Sequence, residues 1–358
     1  MSIRQRFRAH RPFRLCHAIF CLPREPGTIT VIPILRAAWL SLCCRMTRKS
    51  KAKEPKPKPA RTYGKTALNI EQLLYHLWLK GLKIDDRDLN ARSLRSIGYF
   101  RLLIYMRRFQ NPATGKFRPR SRFSDIIDLY DFDRRLRTIT GDAIERIEVG
   151  LRAALNSPLA IAHDPHWYLA HQRFRDLRLY SRTLDQIVRE CGARKGPTLT
   201  HYYDTYATPE LPPIWIVCER LSLGALSKMY ESLATRERKI VGRYVWPEIP
   251  DTLLDGWLHS LTDLRNMCAH HARLWNRHIT VSPPARPTGM KLARYGAEMI
   301  QPNSFYARAT MIKALLDPLG HGVCWKQALR DTLSSCIHVD PGAHLGFSPG
   351  WETTAAWI

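Results

Sequence analysis

Residues 123–159, FSDIIDLYDFDRRLRTITGDAIERIEVGLRAALNSPL, carry the strongest helical pattern in the chain. Apolar side chains recur there at steps of three and four residues, which is the spacing of one face of an α-helix. The pattern predicts two long helices, residues 123–138 and 143–159, which together form the body of a helical core. The apolar positions are Phe123, Ile126, Ile127, Tyr130, Phe132 and Leu136, then Ile144, Ile147, Val149, Leu151, Ala154 and Leu155.

The rest of the chain repeats this period, and the alternation typical of β-strands is scarce. Glycines after residues 80 and 97 end two earlier helices, and proline clusters separate the later ones. We therefore predict an all-α fold, a bundle of many helices. Further helices are predicted at residues 68–80, 86–97, 99–109, 181–191, 214–233, 250–272, 305–316 and 325–333.

Basic residues are concentrated at the start of the chain. The formal charge is +25 over 358 residues, and residues 1–60 contain 14 basic and 2 acidic side chains. Residues 49–61 are mostly Lys and Pro and cannot bury enough apolar surface to fold. We predict a disordered basic extension over residues 1–62 and a helical domain over residues 63–358. The sequence from Met46 onward resembles the ordinary basic N-terminus of a protein. We therefore hypothesise that residues 1–45 are an upstream extension that results from a misassigned start codon.

Charge and cysteine usage suggest the class of partner and the compartment. A strongly basic chain favours a polyanionic partner, and nucleic acid is the first candidate. The nine cysteines show no CxxC pair or other regular spacing, which is typical of a reducing cytosol and not of a disulfide framework or a zinc ribbon. No apolar run is long enough to span a membrane. We expect a cytoplasmic protein without a membrane anchor.

The densest group of chemically useful side chains is residues 263–277, DLRNMCAHHARLWNR. If this segment is helical, Asp263, Asn266 and His270 lie one turn apart on a polar stripe. His271 falls on a neighbouring apolar stripe, so we expect His271 to pack and His270 to function. The other members of the apolar stripe are Leu261, Leu264, Cys268 and Trp275.

Arg265 and His270 together have the side chains that RNA transesterification needs. An imidazole moves protons at a 2′-hydroxyl or a leaving oxygen, and a guanidinium holds the phosphate and its developing charge. Asn266, one turn before His270, orients the imidazole or contacts a substrate oxygen. The spacing alone is equally compatible with a structural salt bridge and helix cap. A metal site at Cys268 and the two histidines is disfavoured because their side chains do not converge on a helix.

Several motifs, taken in order, resemble the abortive-infection (Abi) family of bacterial phage-defence proteins. The resemblance runs from about Thr66 to the C-terminus. It is carried by the LRSIGYFRL run of residues 94–102, the YDFDRRLR run of residues 130–137, residues 144–152, the PIW run of residues 213–215, residues 219–224, residues 264–277 and the closing Gly346-Phe347, Trp351 and Trp357.

The Abi family is similar to the HEPN superfamily of ribonucleases, whose members have an Arg, a polar residue and a His at this spacing. The resemblance implies a HEPN-like helical bundle, an active site shared across a homodimer, and metal-independent RNA cleavage without a cofactor that arrests growth on phage infection. By this resemblance the catalytic residues are Arg265, Asn266 and His270, with His271 and Asp263 as additional candidates.

Arginines elsewhere are candidates for RNA binding. In one interpretation Arg134 or Arg137 lines an RNA groove. In the other, these two arginines belong to a network of salt bridges between two helices, together with Arg152, Asp131, Asp133, Glu145 and Glu148. Tyr99, Arg101 and Tyr105 either clamp a single strand or belong to the core.

We predict RNA, with tRNA as one candidate, as the substrate, and an antitoxin or a phage-encoded trigger as a further partner. The alternatives are a non-catalytic RNA-binding or phage-sensing module and a purely structural interaction protein. The predicted RNA-binding residues are Arg101, Arg134, Arg137, Arg273 and Arg277.

Overall fold

A computed structural model of the protein describes residue 64 and residues 66–358. The prediction of a disordered basic extension over residues 1–62 falls outside the described residues. Residues 67–358 form one compact unit. This unit contains fourteen α-helices joined by loops and short 3₁₀ turns, and within residues 66–358 extended pairing is limited to isolated bridges. The predicted all-α class is confirmed.

The helices are numbered in chain order. They are α1 (Ile70–Leu79), α2 (Arg87–Ile97), α3 (Tyr99–Met106), α4 (Phe123–Ala162), α5 (Leu177–Cys191), α6 (Pro197–Thr205), α7 (Ile214–Arg220), α8 (Leu223–Ser232), α9 (Thr235–Val245), α10 (Asp251–Ala269), α11 (Ala293–Glu298), α12 (Phe305–Leu316), α13 (Gly322–Ser334) and α14 (Pro341–Leu345).

Helix α4 is the central element of the bundle. It runs unbroken for 40 residues, so the two helices predicted over residues 123–138 and 143–159 are one helix, and the predicted break is wrong. Gly141 lowers helix propensity by only about 1 kcal/mol, and helices α3, α7, α9, α10, α12 and α13 all pack against α4. Because buried residues continue on both sides of Gly141, tertiary packing outweighs that local cost.

The segment predicted as one helix over residues 214–233 is divided in two. Helix α7 ends at Arg220, and α8 begins after Ser222, whose hydroxyl accepts a hydrogen bond from the Ala225 amide at 3.3 Å. A serine that satisfies a free amide at the start of a helix is a standard N-cap. The apolar period continues across the break because Leu221 and Leu223 are both buried, which is why periodicity alone did not reveal it.

A buried arginine fixes the segment that follows the candidate site. Arg308 on α12 is fully buried. Its Nη1 donates to the carbonyls of Pro302 (2.9 Å) and Ser304 (3.3 Å), and its Nη2 donates to those of Ile279 (2.8 Å) and Val281 (2.9 Å). Burial lowers the pKa of Arg308 to about 10, against the opposing effect of the Asp263 carboxylate.

We expect Arg308→Met to lower the free energy of unfolding by about 3 kcal/mol, because carbonyls left buried without donors cost about 1–3 kcal/mol each before relaxation. Urea denaturation of the purified protein measures this. The matched control is Arg135→Met, since Arg135 is an exposed arginine on α4 and should change stability by less than about 0.5 kcal/mol. Equal stability of the two variants would contradict the structural role of Arg308.

Candidate functional site

Helix α10, which carries Arg265 and Asn266, ends earlier than predicted. His270 is the C-cap residue, and His271 leaves the helix with a φ of +55°. The His271 amide donates to the Cys268 carbonyl at 3.0 Å, and the Ala272 amide donates to the Met267 carbonyl at 2.8 Å. These two bonds form a Schellman motif, which satisfies the last carbonyls of a helix.

The early end of α10 corrects one prediction from the sequence. The predicted apolar stripe includes His271 and Trp275, so it requires a helix that continues past both residues. Helix α10 ends at Ala269, and both residues lie beyond its end. His271 is exposed, so the prediction that it packs is wrong. Trp275 is buried, but it reaches the core from the loop. A non-glycine residue at the left-handed position is strained, and such strain is often found at functional sites.

The predicted catalytic side chains are all accessible to solvent. Arg265, Asn266 and His270 are exposed, and the Arg265 Nη1 lies 3.4 Å from the Asn266 side-chain oxygen. Among the described residues, neither the His270 ring nor the His271 ring has a hydrogen-bond partner within the protein. Both imidazoles are therefore accessible to a substrate. Asp263 is different: it is half-buried, and its Oδ2 is buried without a hydrogen bond.

A cleft of about 650 Å³ opens where the end of α10 meets α2, α3 and α4. Arg265 and His271 line one side of it, while Asn266, His270 and Asp263 are not among its lining residues. The structure thus brings Arg265 together with His271 in this cleft, and it leaves His270 exposed beside it. The other lining residues are Ser96, Ile97, Arg101, Tyr130, Arg134, Arg137, Thr138, Gly141, Asp142, Cys268 and Ala269.

Four arginines give the cleft its charge. Arg101, Arg134, Arg137 and Arg265 all line it, although they come from three different helices. Arg134 lies 3.3 Å from Asp131, whereas Arg265 has no acidic partner among the described residues. A concave surface with several guanidinium groups suits an anionic ligand such as the phosphates of a nucleic acid.

The acidic and basic residues of α4 pair within the helix. Arg134 pairs with Asp131, Arg137 with Asp133, and Arg152 with Glu148, in each case three or four residues apart. The predicted salt bridges between two helices are therefore wrong, because the two predicted helices are one. Arg152 does reach another helix, since it also donates to the Cys218 carbonyl of α7.

Asp133 is the best-connected buried side chain near the cleft. It is fully buried, and its Oδ1 accepts hydrogen bonds from the amides of Leu274 (3.0 Å) and Trp275 (2.7 Å). Its Oδ2 accepts from the Tyr105 hydroxyl at 2.7 Å and from Arg137. Tyr105 is buried, and burial together with the Asp133 charge raises its pKa. Tyr105 therefore belongs to the core, and of the proposed clamp only Arg101 reaches the cleft.

The remaining candidates lie outside the cleft or act differently there. Arg273 is half-buried with its guanidinium carbon 5.9 Å from the Trp275 ring centre, and burial lowers its pKa. Arg277 is exposed and does not line the cleft. Cys268 does line it, but burial raises the pKa of its thiol to about 12, so this cysteine is protonated at neutral pH. Only the thiolate is a good nucleophile.

The importance of two residues at or near the cleft, Asp133 and Tyr130, was not evident from the sequence pattern. The sequence pattern presents Asp133 as one of several salt-bridge partners and Tyr130 as an apolar position, yet Tyr130 lines the cleft. A carboxylate on the same face as Phe132, Leu136 and Arg137 was the available signal, because a charge on a buried face must be paired. Its partners 141 and 142 residues later could not be read from local spacing.

Three partly buried histidines make stability depend on pH. Burial is the main cause that lowers the pKa of His163, His166 and His344, and Arg108 also lowers that of His344. The Nδ1 of His344 accepts a hydrogen bond from the Asp340 amide at 2.9 Å, and the ring packs 5.2 Å from Trp275. That hydrogen bond requires Nδ1 to be unprotonated.

Because the folded pKa values of these histidines lie below the usual value near 6.5, the folded protein binds fewer protons than the unfolded chain. Their contribution to stability is complete above pH 6.5 and is lost as the pH falls through and below that value. We expect the melting temperature to fall between pH 7 and pH 5, with a smaller fall in His344→Gln. Identical pH profiles for wild type and variant would contradict the part assigned to His344.

Within the described part of the chain, no three His, Cys, Asp or Glu side chains come together in a group that could hold a metal ion. None of its helices has the length and apolar character needed to cross a membrane.

Comparison with known proteins identifies a family. A search of curated proteins and a search of solved structures gave no match. A sequence model described as Abi-like protein matches residues 92–276, which is more than half of the chain. The matched region begins on α2 and ends at Asn276, so it includes every residue that lines the arginine-rich cleft. The chain therefore belongs to the Abi-like protein family.

Proposed function

We propose that this protein is an abortive-infection effector of the cytoplasm that cuts RNA without a metal ion, as HEPN ribonucleases do. One observation supports the proposal most: four arginines line a single cleft at the end of α10, the helix that His270 and His271 directly follow. Membership of the Abi-like family agrees with a role in phage defence. Residues 63–358 are proposed as the functional domain.

In this proposal the chemistry is an internal transesterification. The 2′-oxygen of a ribose attacks the adjacent phosphorus, the bond from phosphorus to the 5′-oxygen breaks, and the products end in a 2′,3′-cyclic phosphate and a 5′-hydroxyl. Arg265 binds the phosphate and stabilises its growing negative charge. His270 transfers protons, since one proton must leave the 2′-hydroxyl and one must reach the 5′-oxygen. Asn266 assists by binding a substrate oxygen.

We assign proton transfer to His270 and not to His271, because the backbone of His271 has a structural role. His271 has a main-chain role: it ends α10, and its carbonyl accepts a hydrogen bond from the Arg101 Nη1 at 3.0 Å. His270 has an exposed ring at the end of α10, where it can reach a substrate. The competing assignment is His271, which is favoured by its place on the cleft wall.

A homodimer is part of this proposal. Asn266 and His270 are exposed but lie outside the cleft of a single chain, and a two-fold partner that covers the end of α10 would enclose them. Most homodimers use such two-fold symmetry, with the same patch on both subunits. An antitoxin or a phage-encoded trigger is the proposed regulator, and tRNA is one proposed substrate.

Expression in bacteria tests the proposed cellular role. We expect wild-type protein to stop growth, and His270→Ala to relieve the arrest at an equal protein level, because arrest requires RNA cleavage. Immunoblotting of both strains controls for expression. Equal growth arrest by wild type and variant would place the activity elsewhere in the chain.

A non-catalytic RNA-binding or phage-sensing module is the second candidate, because the same arginines would serve it. Such a protein would bind single-stranded RNA with a loss of roughly 0.7 log units of affinity per tenfold rise in salt for each neutralised phosphate. It would release no shortened RNA products. Binding and cleavage measured on one RNA sample separate the two candidates.

A further inference from the structure

The carboxylate of Asp133 joins the two sides of the cleft. Through Oδ2 it holds Arg137, which is almost fully buried and still lines the cleft from α4. Through Oδ1 it holds the amides of Leu274 and Trp275, three and four residues after His271. One side chain therefore fixes an arginine of the cleft wall and the loop that follows the histidine pair.

This geometry is sensitive to the loss of the charge. The buried carboxylate accepts four hydrogen bonds, and within this group its charge is balanced by the Arg137 guanidinium alone. A charge-assisted pair of this kind is directional as well as strong. Without the carboxylate, Arg137 loses its fixed orientation, and the loop after His271 loses its tie to α4.

We propose that Asp133 is a positioning residue for RNA cleavage. It holds Arg137 and the loop of residues 271–275 in register, so that a phosphate bound in the cleft meets a preformed set of groups. This inference rests on the proposed ribonuclease function. Loss of the Asp133 carboxylate should therefore lower kcat, because a misplacement of about 1 Å can lower the rate of a chemical step about 10²-fold.

The test variant is Asp133→Asn, which keeps the shape of the side chain but has only one acceptor oxygen. That oxygen can accept hydrogen bonds from Arg137 and Tyr105 or from the Leu274 and Trp275 amides, but not from both pairs. We expect kcat to fall about 10- to 100-fold with a change in KM below about threefold. The matched control is Asp251→Asn. Asp251 pairs with the buried Arg238 at 2.7 Å at the opposite end of α10, roughly 20 Å from Arg265 at 1.5 Å per residue.

Both variants are assayed well below their melting temperatures, so that loss of fold does not enter the comparison. A kcat for Asp133→Asn equal to that of Asp251→Asn would overturn the inference. Hydrogen exchange gives a second readout that does not need activity: the amides of residues 272–275 should exchange faster in Asp133→Asn and at the wild-type rate in Asp251→Asn. If the wild-type protein does not cleave RNA, the proposed function is contradicted. The positioning role is contradicted by a different result, namely that the amides of residues 272–275 exchange at the wild-type rate in Asp133→Asn.

Discussion

His270→Ala is expected to lower the rate constant of RNA cleavage by about 10²- to 10⁴-fold, the usual contribution of a general acid or base. His270 is exposed at the end of α10, and its ring has no hydrogen-bond partner among the described residues. Its removal should therefore leave the fold intact while it removes the proton carrier. Single-turnover cleavage of a labelled RNA measures the rate, and the melting temperature controls for folding.

The matched control for His270→Ala is His271→Gly. Glycine suits the left-handed backbone at position 271 and keeps the carbonyl that binds Arg101. We expect cleavage within a few-fold of wild type and stability within about 1 kcal/mol. The reverse result, with activity lost in His271→Gly and retained in His270→Ala, would transfer the proton-carrying role to the histidine of the cleft wall.

Arg265→Ala is expected to lower kcat by about 10²- to 10³-fold, because a positioned donor to the developing phosphate charge is lost. Arg265 is exposed, lines the cleft and has no acidic partner among the described residues, so its guanidinium is free to bind a phosphate. Arg265→Lys should recover only part of the rate, since a lysine keeps the charge but cannot form two parallel hydrogen bonds.

Arg134→Ala is the matched control for Arg265→Ala. Arg134 lines the same cleft but is paired with Asp131 on its own helix. We expect this variant to weaken RNA binding and to reduce its salt dependence, with kcat changed by less than about tenfold. If Arg134→Ala and Arg265→Ala lower kcat equally, the cleft binds RNA through its total charge and Arg265 has no special role.

Secondary structure was predictable wherever local pattern and tertiary packing agree. The apolar period gave the all-α class and approximate positions for most helices. It failed at Gly141, where packing along the whole of α4 outweighs a weak local break, and at Ser222, where a cap divides a continuous apolar pattern. It also failed at the end of α10. The left-handed position of a Schellman motif is usually a glycine, which marks the end of a helix in a sequence, but in this chain that position is His271.

Residue types were easier to predict for the candidate site than contacts. Arg101, Arg134, Arg137 and Arg265 were chosen from the sequence for chemical reasons, and the structure places all four on one cleft. Arg273 and Arg277, chosen on the same grounds, lie outside it. The link between Asp133 and Trp275 joins positions 142 residues apart, and such a contact depends on how the helices pack. Local spacing contains no information about it.

RNA cleavage by the cleft and the end of α10, without a metal ion, can be tested directly on the purified protein. Purified wild-type protein should be incubated with total bacterial RNA in EDTA, beside a variant that combines Arg265→Ala and His270→Ala, and the product ends should be analysed. We expect shortened RNAs with 2′,3′-cyclic phosphate and 5′-hydroxyl ends from the wild type alone. Intact RNA from the wild type, or the same products from the double variant, would contradict the proposed function.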